Sequence, residues 1–290
     1  MTLRTSLRVD LARYASPLRY PGGKAKLTPF VRNLIEVNNL GDGHYAEPYA
    51  GGASVALQLL IDDYVRRIHI NDLDRSVFAF WWAVLNEPEA LCRLIRNTRP
   101  SPAAWRRQRA VQSAKHSSDL LTLGFSTFFL NRTSRSGIVD SAGMIGGNNQ
   151  QGEWKIGARY NAPALIARIE RIASLRSRIT LTNLDAIDFL AGCAASLPSR
   201  SLTYLDPPYF VKGQRRLYAN YYSVHDHEEV ALTLASYPHC WITTYDYTPE
   251  VLRLYRDHRC HVYSLRYSAS TTKSGKEAVF FSDDLVLPPL

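Results

Sequence analysis

Short apolar segments that end in turn residues alternate with helical segments along most of this 290-residue chain. Helical patterns occupy residues 53–65 and 162–175. Because strands that alternate with helices form βαβ units, the pattern predicts an α/β fold with a mostly parallel sheet. Four strand-like segments carry this signal, HYAEPYAGG (44–52), RRIHINDLD (66–74), RITLTNLDAIDFL (178–190) and LTYLDPPYF (202–210), and three more follow at 239–246, 260–269 and 277–283.

One interval departs from this alternation. Between residues 75 and 165 the chain is rich in Arg, Trp and Ser, and a Gly/Asn/Gln-rich segment at 141–154 comes near its end. We predict that residues 76–165 form an inserted lobe, helical at first and then hairpin-like. Residues 1–75 and 166–290 would then form the main domain.

The positive charge of the chain is unevenly distributed. The formal net charge is +9, and the segment Arg93–Arg135 holds nine Lys and Arg residues against one acid, Asp119, which gives +8. A charge run can be a solvated helix face. Because this run has almost no compensating acids, it favours a polyanionic partner, and nucleic acid is the first candidate.

Neither a membrane protein nor a metal protein is indicated. No apolar run reaches the length of a membrane span, and the N-terminal residues lack the apolar core of a signal peptide, so we expect a soluble protein of the cytoplasm. The four cysteines form no C-x-x-C pair, so buried free thiols are expected rather than a zinc ribbon or a disulfide framework. The segment HDHEE (225–229) is interpreted as an exposed helix start, with metal ligation as the alternative. No metal is expected.

The segment Asp206-Pro207-Pro208-Tyr209 follows an apolar strand-like run. Proline fixes φ and lacks the backbone N–H, so the local carbonyl groups stay available as acceptors in a rigid turn. A carboxylate, a carbonyl and an aromatic ring are thus held together where a strand ends. Ligands of open α/β sheets bind at this edge, so these four residues are the candidate catalytic motif, although Asp-Pro can also be a simple turn.

A glycine-containing turn and an acid at the end of a strand point to a cofactor site. Gly51 and Gly52 lie between a strand and a helix, where the backbone can turn sharply and approach a ligand. An acid about 20 residues after such a turn holds ribose hydroxyls in dinucleotide-binding folds. Asp72 is our choice for that role. Asp74 is the alternative, and it could instead cap the next helix.

Four motifs in this order resemble the Dam-like, D12 class of DNA adenine-N6 methyltransferases: RYPGGK (19–24), EPYAGGAS (47–54), NDLD (71–74) and LDPPYF (205–210). The likeness extends from about residue 18 to EAVFFSD (277–283), and FFLNRTSRSGI (128–138) is similar to the DNA-contacting segment of that family. The resemblance implies a Rossmann-like methyltransferase fold with seven strands, an antiparallel last strand and a DNA-recognition lobe. It also implies double-stranded DNA as partner, in a prokaryotic cell or a phage-infected host.

The resemblance further implies S-adenosyl-L-methionine (SAM) as the methyl donor. Asp72 would hold the ribose of SAM, and Asp185 would lie near its adenine. Tyr20 stands where many relatives have Trp. The complete set of cofactor-binding residues implied in this way is Tyr20, Lys24, Glu47, Pro48, Gly51, Gly52, Asp72, Asp185 and Asp206.

The chemistry of adenine methylation fits the Asp-Pro-Pro-Tyr motif. The exocyclic amine of adenine is a poor nucleophile because its lone pair is delocalised into the ring. Acceptance of its two N–H groups by Asp206 and the Pro207 carbonyl would favour direct attack on the methyl group. Tyr209 would stack on the base once it has left the duplex. No Pro-Cys pair is present, which argues against the covalent route of cytosine-C5 enzymes.

Two groups of side chains are predicted to contact DNA. Arg106, Arg107 and Arg109 are expected to meet phosphates, which position a protein without reading sequence. Asn131, Arg132 and Arg135 are candidates for base edges, because Asn can bond adenine and Arg can bond guanine. Contact of Arg132 and Arg135 with phosphates alone remains an alternative.

Two other functions remain open at the level of sequence. One is a SAM-dependent methyltransferase with another acceptor, such as cytosine-N4, RNA or a protein amide. The other is a DNA-binding protein that keeps the fold without catalysis. The sequence indicates neither a protein partner nor whether a restriction enzyme accompanies the protein.

Overall fold

The computed structural model describes residues 15–19, 24–139, 141–210, 222–267 and 273–288. These residues form two compact units. The first, which we call the helical unit, contains the described residues before Pro29 together with Gly51–Asp62 and Asp74–Leu181. The second, the sheet unit, contains Pro29–Ala50, Asp63–Leu73 and the described residues from Thr182 onward.

The strands of the described residues are β1 (His44–Glu47), β2 (Arg67–Asn71), β3 (Ile179–Thr182), β4 (Ser201–Leu205), β5 (Cys240–Asp246), β6 (Arg259–Tyr267) and β7 (Lys273–Phe281). They form one seven-stranded sheet in the order β3-β2-β1-β4-β5-β7-β6. β1 is parallel to β2 and β4, and β4 is parallel to β5. β7 is antiparallel to β5 and β6. The predicted α/β class and the mostly parallel sheet with its antiparallel last strand are confirmed.

The order of the strands defines where a ligand can bind. From β1 the chain continues to β2 on one side, and it later returns to β4 on the other side of β1. The carboxyl ends of these three parallel strands lie at the same edge of the sheet. Ligands of open α/β sheets bind where the strand order reverses, which here is between β1 and β4.

The α-helices of the described residues are α1 (Thr28–Val37), α2 (Ser54–Ile61), α3 (Arg75–Asn86), α4 (Pro88–Asn97), α5 (Pro102–Ser113), α6 (Leu120–Thr133), α7 (Ala162–Ala173), α8 (Ala186–Ser196), α9 (Val224–Ala235) and α10 (Pro249–Leu254). Side chains that accept backbone N–H groups begin α3, α5, α6 and α7, and they are those of Asp74, Ser101, Asp119 and Asn161. These are the residue types favoured at helix N-caps. Local sequence therefore determines where these helices start.

The core of the helical unit forms where α6 packs closely on α3. A Cβ on Gly124 of α6 would lie 2.4 Å from the Ala79 carbonyl oxygen of α3, so only glycine permits this approach. Phe80 and Phe128 stack with ring centroids 6.0 Å apart, and both are fully buried. This packing gives the helices that follow residue 75 a core of their own.

The sheet unit buries its strands as a parallel sheet requires. All five residues of β4 are buried, a continuous buried run of the kind that central parallel strands show. Trp241 and Tyr245 of β5 pack with Tyr255 and Phe280 in one apolar cluster. The strand that leads into the Asp-Pro-Pro-Tyr motif is therefore rigidly held on both faces.

Two predictions, that the cysteines are buried and that residues 225–229 form an exposed helix start, are partly wrong. Cys92 and Cys193 are buried as predicted, but Cys240 is half-buried and Cys260 is exposed on an edge strand. The segment 225–229 does lie in the first turns of α9, as predicted. His227 within it is buried, however, because it faces Tyr245 of the core rather than solvent.

The lobe predicted at 76–165 lies in the helical unit, whose largest segment is Asp74–Leu181. Its first part is helical through α6. Of the expected hairpin-like part, the described residues show an isolated antiparallel bridge between Ser134 and Met144, followed by turns. Among the described residues no helix is long and apolar enough to cross a membrane.

Candidate active site at the carboxyl edge of the sheet

Asp206 follows the last residue of β4 and is held from the neighbouring strand. The Thr244 hydroxyl of β5 donates to Asp206 Oδ1 at 2.7 Å. The Tyr204 hydroxyl lies 3.0 Å from the same Thr244 oxygen. The β4–β5 register pairs Leu205 with Thr243, so Thr244 stands next to Asp206 as a direct result of strand pairing. The carboxylate is thus oriented before any substrate binds.

The end of the Asp-Pro-Pro-Tyr motif is anchored by two acids that the sequence analysis did not identify. The Phe210 backbone N–H donates to Asp246 Oδ1 at 2.9 Å. The Tyr209 hydroxyl donates to Glu277 Oε1, and Glu277 is 1% exposed. Both acids lie in strand segments that were recognised only as strands. The sequence signal that could have identified them is the presence of an acid within an otherwise apolar strand.

Asn71, the last residue of β2, links the loop that follows β1 to β3 and to the loop that follows β3. Its Nδ2 donates to the carbonyl oxygens of Pro48 and Leu184, each at 3.0 Å. Its Oδ1 accepts the Leu184 N–H at 2.9 Å and the Thr182 hydroxyl at 2.8 Å. Asn71 is fully buried. The sequence analysis assigned roles only to the acids of the NDLD motif. The buried amide of Asn71, through its four hydrogen bonds, is what fixes this edge of the sheet.

The two acids of the NDLD motif have different surroundings. Asp74 accepts the Ser76 N–H at 2.8 Å and is the N-cap of α3, the alternative role considered for it. Asp72 is 9% exposed, and its carbonyl accepts Asn183 Nδ2 at 2.7 Å. The contact of Asp72 with a ribose stays a prediction.

Glu47 and Asp185 lie in the sheet unit at the ends of β1 and β3. Glu47 is the last residue of β1 and is 4% exposed. Asp185 begins α8, where its carboxylate accepts the Ile187 N–H at 2.9 Å. The sheet register therefore brings Glu47, Asp72 and Asp206 to the same edge, as expected from parallel strands, and Asp185 follows the neighbouring strand.

The other predicted cofactor residues lie in the helical unit or outside the described residues. Gly51 has a φ of +47°, and its carbonyl accepts the Trp81 indole N–H at 2.9 Å. Gly52, which follows it, is buried. Lys24 is 7% exposed. Tyr20 is outside the described residues.

Asn131 and Arg132, predicted to contact bases, are buried within the helical unit. Asn131 is 2% exposed, accepts the Arg19 N–H at 2.8 Å and donates to the Arg19 carbonyl at 2.7 Å and the Gly137 carbonyl at 2.8 Å. The Arg132 guanidinium donates to the Pro17 carbonyl. Base contact by these two side chains stays a prediction that this conformation does not favour. Their contacts instead hold residues 17–19.

Burial also changes the chemistry of Arg132. Burial, and after it the charges of Arg168, Arg19 and Arg159, lowers the pKa of Arg132 to about 9. Arg168 donates to the Ser16 carbonyl at 3.4 Å. Several arginine side chains therefore lie close to Arg132.

Of the remaining residues predicted to contact DNA, all but Arg109 are exposed. Arg106 and Arg107 are exposed on α5, and Arg135 is exposed after α6. Arg109, by contrast, donates to the Val139 carbonyl at 2.5 Å and lies 5.6 Å from the Trp105 ring centroid. Exposed cations on these helices are suited to meet a polyanion.

No group of three or more His, Cys, Asp or Glu side chains in the described part of the chain is arranged to hold a metal ion.

A family model places this site in a known enzyme class. The model of the D12 class N6 adenine-specific DNA methyltransferases matches residues 20–269. The chain belongs to this family, and the resemblance inferred from its motifs is confirmed. It is therefore a SAM-dependent methyltransferase, with DNA as the substrate that the family implies. No curated protein matches the chain.

Solved structures show only distant likeness. A Pyrococcus horikoshii protein named "putative RNA methyltransferase PH1948" aligns over 91% of this chain and 85% of its own, with 8% identity and a TM-score of 0.42. The rRNA methyltransferase aviRa from Streptomyces viridochromogenes aligns over 83% and 76%, with 16% identity and a TM-score of 0.31. The family assignment rests on the family model.

Proposed function

We propose that the protein is a site-specific DNA methyltransferase that transfers the methyl group of SAM directly to the exocyclic amine of a flipped adenine. One observation carries the proposal. Asp206 of the Asp-Pro-Pro-Tyr motif lies at the carboxyl end of β4, next to β1, where the strand order reverses, and Thr244 orients its carboxylate. Substrates of open α/β folds bind at this position.

The proposed reaction uses hydrogen-bond acceptors rather than a covalent intermediate. Asp206 and the Pro207 carbonyl accept the two N–H groups of the adenine amine, which concentrates its lone pair on nitrogen. Bound SAM supplies an electrophilic methyl group on a positively charged sulfur. Methyl transfer would form the N–C bond as the S–C bond breaks, and the proton released by the amine nitrogen would pass to the Asp206 carboxylate and from there to solvent. Close positioning of the two reacting atoms supplies much of the rate.

The residues present are chemically suited to SAM. Asp72 is an acid of low exposure at the end of β2, next to the buried and hydrogen-bonded Asn71, and its carboxylate suits a ribose hydroxyl. The left-handed backbone at Gly51 and at Ala53 suits close approach to a ligand. The proposed cofactor-binding residues remain Tyr20, Lys24, Glu47, Pro48, Gly51, Gly52, Asp72, Asp185 and Asp206.

The finer architecture is also a proposal. We infer a Rossmann-like methyltransferase domain from residues 1–75 and 166–290, with residues 76–165 as the target-recognition lobe. The separate core between α3 and α6 and the exposed Arg106, Arg107 and Arg135 support such a lobe. Adenine must leave the duplex to reach Asp206, since exocyclic amines inside a base stack are inaccessible to such a site.

The test is methyl transfer to mixed-sequence DNA in the presence of SAM, followed by mapping of modified bases by single-molecule sequencing. N6-methyladenine within one short sequence is expected. Methylation of cytosine or of RNA instead would assign the alternative acceptors. SAM binding without transfer to any nucleic acid would leave a non-catalytic relative of the family.

Asp206→Asn tests the role of the carboxylate. The amide keeps the shape but removes the charge and turns one acceptor into a donor. Methyl transfer is expected to fall by at least about a hundredfold, the scale of losing an essential charge-stabilising group, while SAM binding is retained. Asp257→Asn, at an exposed acid, is the matched control and should behave as wild type. An Asp206→Asn enzyme with normal turnover would refute the mechanism.

A further inference from the structure

We propose that Glu277 is a positioning residue that holds Tyr209 as a preformed stacking face for the target base. The inference rests on the proposed function, because it concerns how that site receives adenine. Its basis is the hydrogen bond from the Tyr209 hydroxyl to Glu277 Oε1. Glu277 lies in β7, a different strand from the one that carries the Asp-Pro-Pro-Tyr motif.

The register of the antiparallel strands places Glu277 between two groups that concern the motif. Glu277 pairs with Asp246 of β5 and with Tyr263 of β6. Directly paired residues of neighbouring strands point to the same face of a sheet. Asp246 accepts the Phe210 N–H, and Glu277 accepts the Tyr209 hydroxyl. Two adjacent acids thus bind two consecutive residues at the end of the motif.

The burial of Glu277 needs an explanation that packing alone does not give. The residue is 1% exposed and precedes a run of buried apolar residues, Ala278 to Phe281. A buried carboxyl group is unfavourable unless it is hydrogen-bonded. Glu277 has two hydroxyl donors, since the Tyr263 hydroxyl donates to its Oε2 at 2.5 Å. An apolar residue would fill the position but would bond neither tyrosine.

The contacts fix Tyr209 at both ends. Pro207 and Pro208 restrict the backbone before it, and the bond from Phe210 N–H to Asp246 restricts the backbone after it. Glu277 holds the hydroxyl at the far end of the ring. An aromatic side chain fixed in this way loses little conformational entropy when a base stacks on it. The ring plane is therefore ready before the adenine arrives.

The test uses the DNA sequence in which the wild-type enzyme methylates adenine. Tyr209→Phe keeps the ring and removes the hydroxyl, while Glu277→Gln keeps the shape of the side chain and replaces one carboxyl oxygen with an amide donor. Three quantities are measured: kcat and KM for DNA, the fluorescence of 2-aminopurine at the target position, which rises when the base leaves the stack, and SAM affinity by calorimetry. Thermal unfolding checks that each variant is folded.

We expect Tyr209→Phe and Glu277→Gln each to lower kcat/KM for DNA about tenfold to a hundredfold, the scale of leaving a buried polar group without its hydrogen-bond partner. The 2-aminopurine signal should fall with it, and SAM affinity should stay unchanged. Because Glu277 acts through the hydroxyl, the double variant should be no worse than the poorer single variant. Tyr263→Phe removes a hydroxyl from the same carboxylate on the side away from the motif and should have a smaller effect.

Tyr237→Phe is the matched control for hydroxyl removal, since the Tyr237 hydroxyl lies 3.0 Å from Thr203 Oγ1, within β4 and before the motif. Wild-type base capture in Tyr209→Phe would overturn the proposal, as would a double variant in which the two losses multiply. If Glu277→Gln fails to fold, Tyr209→Phe decides alone, because it leaves Glu277 intact. A wild-type enzyme that methylates no DNA refutes the proposed function instead, so the two failures are distinguishable.

Discussion

Replacement of Asn131 by alanine distinguishes a structural side chain from one that reads DNA. Asn131 makes three hydrogen bonds of 2.7–2.8 Å to backbone groups of Arg19 and Gly137 and is 2% exposed. A buried hydrogen bond contributes about 0.5–1.5 kcal/mol, so the loss of all three should lower the free energy of unfolding of the helical unit by about 2–4 kcal/mol. A base-reading residue in free protein would contribute nothing of this size.

The geometry around Asn131 makes compensation by a neighbour difficult. Gly137 has a φ of +76°, and a Cβ there would lie 2.5 Å from the Arg19 carbonyl oxygen. The space is therefore filled by backbone, and no larger side chain can enter it. Asn131→Asp keeps the acceptor for the Arg19 N–H but places a carboxylate against two carbonyl groups. It should be at least as destabilising as Asn131→Ala.

Urea unfolding of the two variants measures this loss, with Arg256→Ala at an exposed position as the control. DNA binding to the methylated sequence and to a random sequence is measured in parallel, under conditions where each variant is folded. The structural role predicts lower stability and equal effects on both DNAs. Unchanged stability together with lost discrimination at one base position would refute this reasoning and support base contact by Asn131.

Three further results are expected. Asp72→Ala should weaken SAM binding in calorimetry by about 1–3 kcal/mol, the loss of a hydrogen bond to a charged group, and unchanged affinity would move the ribose contact elsewhere. Neutralising Arg106 or Arg107 should weaken binding to all DNA equally and reduce the slope of log affinity against log salt concentration by about one per lost contact. Arg135→Ala should instead weaken binding by about 1–3 kcal/mol on the preferred DNA sequence alone. Equal losses on all DNA for the three arginines would mean that each of them contacts only phosphates. Burial, and then the neighbouring His44, lowers the pKa of His69 from 6.5 to about 4. Because the unfolded chain therefore binds this proton at a higher pH than the folded chain, the free energy of unfolding should be largest above pH 6.5 and fall by about 1–3 kcal/mol toward pH 4. In urea titrations at several pH values, His69→Gln should flatten that dependence.

The parallel part of the fold was predictable because local sequence patterns determine it. Each parallel strand is a short apolar run closed by polar turn residues, and each such turn lies at the same edge once the strands are parallel. The position of Asp206 and Asp72 at that edge follows from this rule alone. Capping roles were equally local, since Asp74 and Asp185 each accept an N–H two residues further along.

The base-edge prediction for Asn131 and Arg132 depended on residue type, which carries no information on burial. Asn and Arg in a basic segment suit DNA, but they also suit the carbonyl groups of a neighbouring segment. The partners here are Pro17 and Arg19, more than 100 positions away in the chain. Neither periodicity nor spacing in a single sequence links two segments so far apart.

Glu277 and Asp246 were missed for the same physical reason in a different form. The proximity of Asp246 to the motif follows from the pairing of β5 with β4, whereas that of Glu277 depends on β7 entering the sheet between β5 and β6, antiparallel to both. That topology was inferred only from the family resemblance, and the register that pairs Asp246 with Glu277 was not available from any pattern. A buried acid in an apolar strand is nevertheless a signal in its own right, because a carboxyl group enters a core only where donors await it. In this protein the Phe210 N–H is such a donor for Asp246 and the Tyr209 hydroxyl is one for Glu277, so antiparallel β7 contributes to the candidate site together with the parallel strands that carry its motifs.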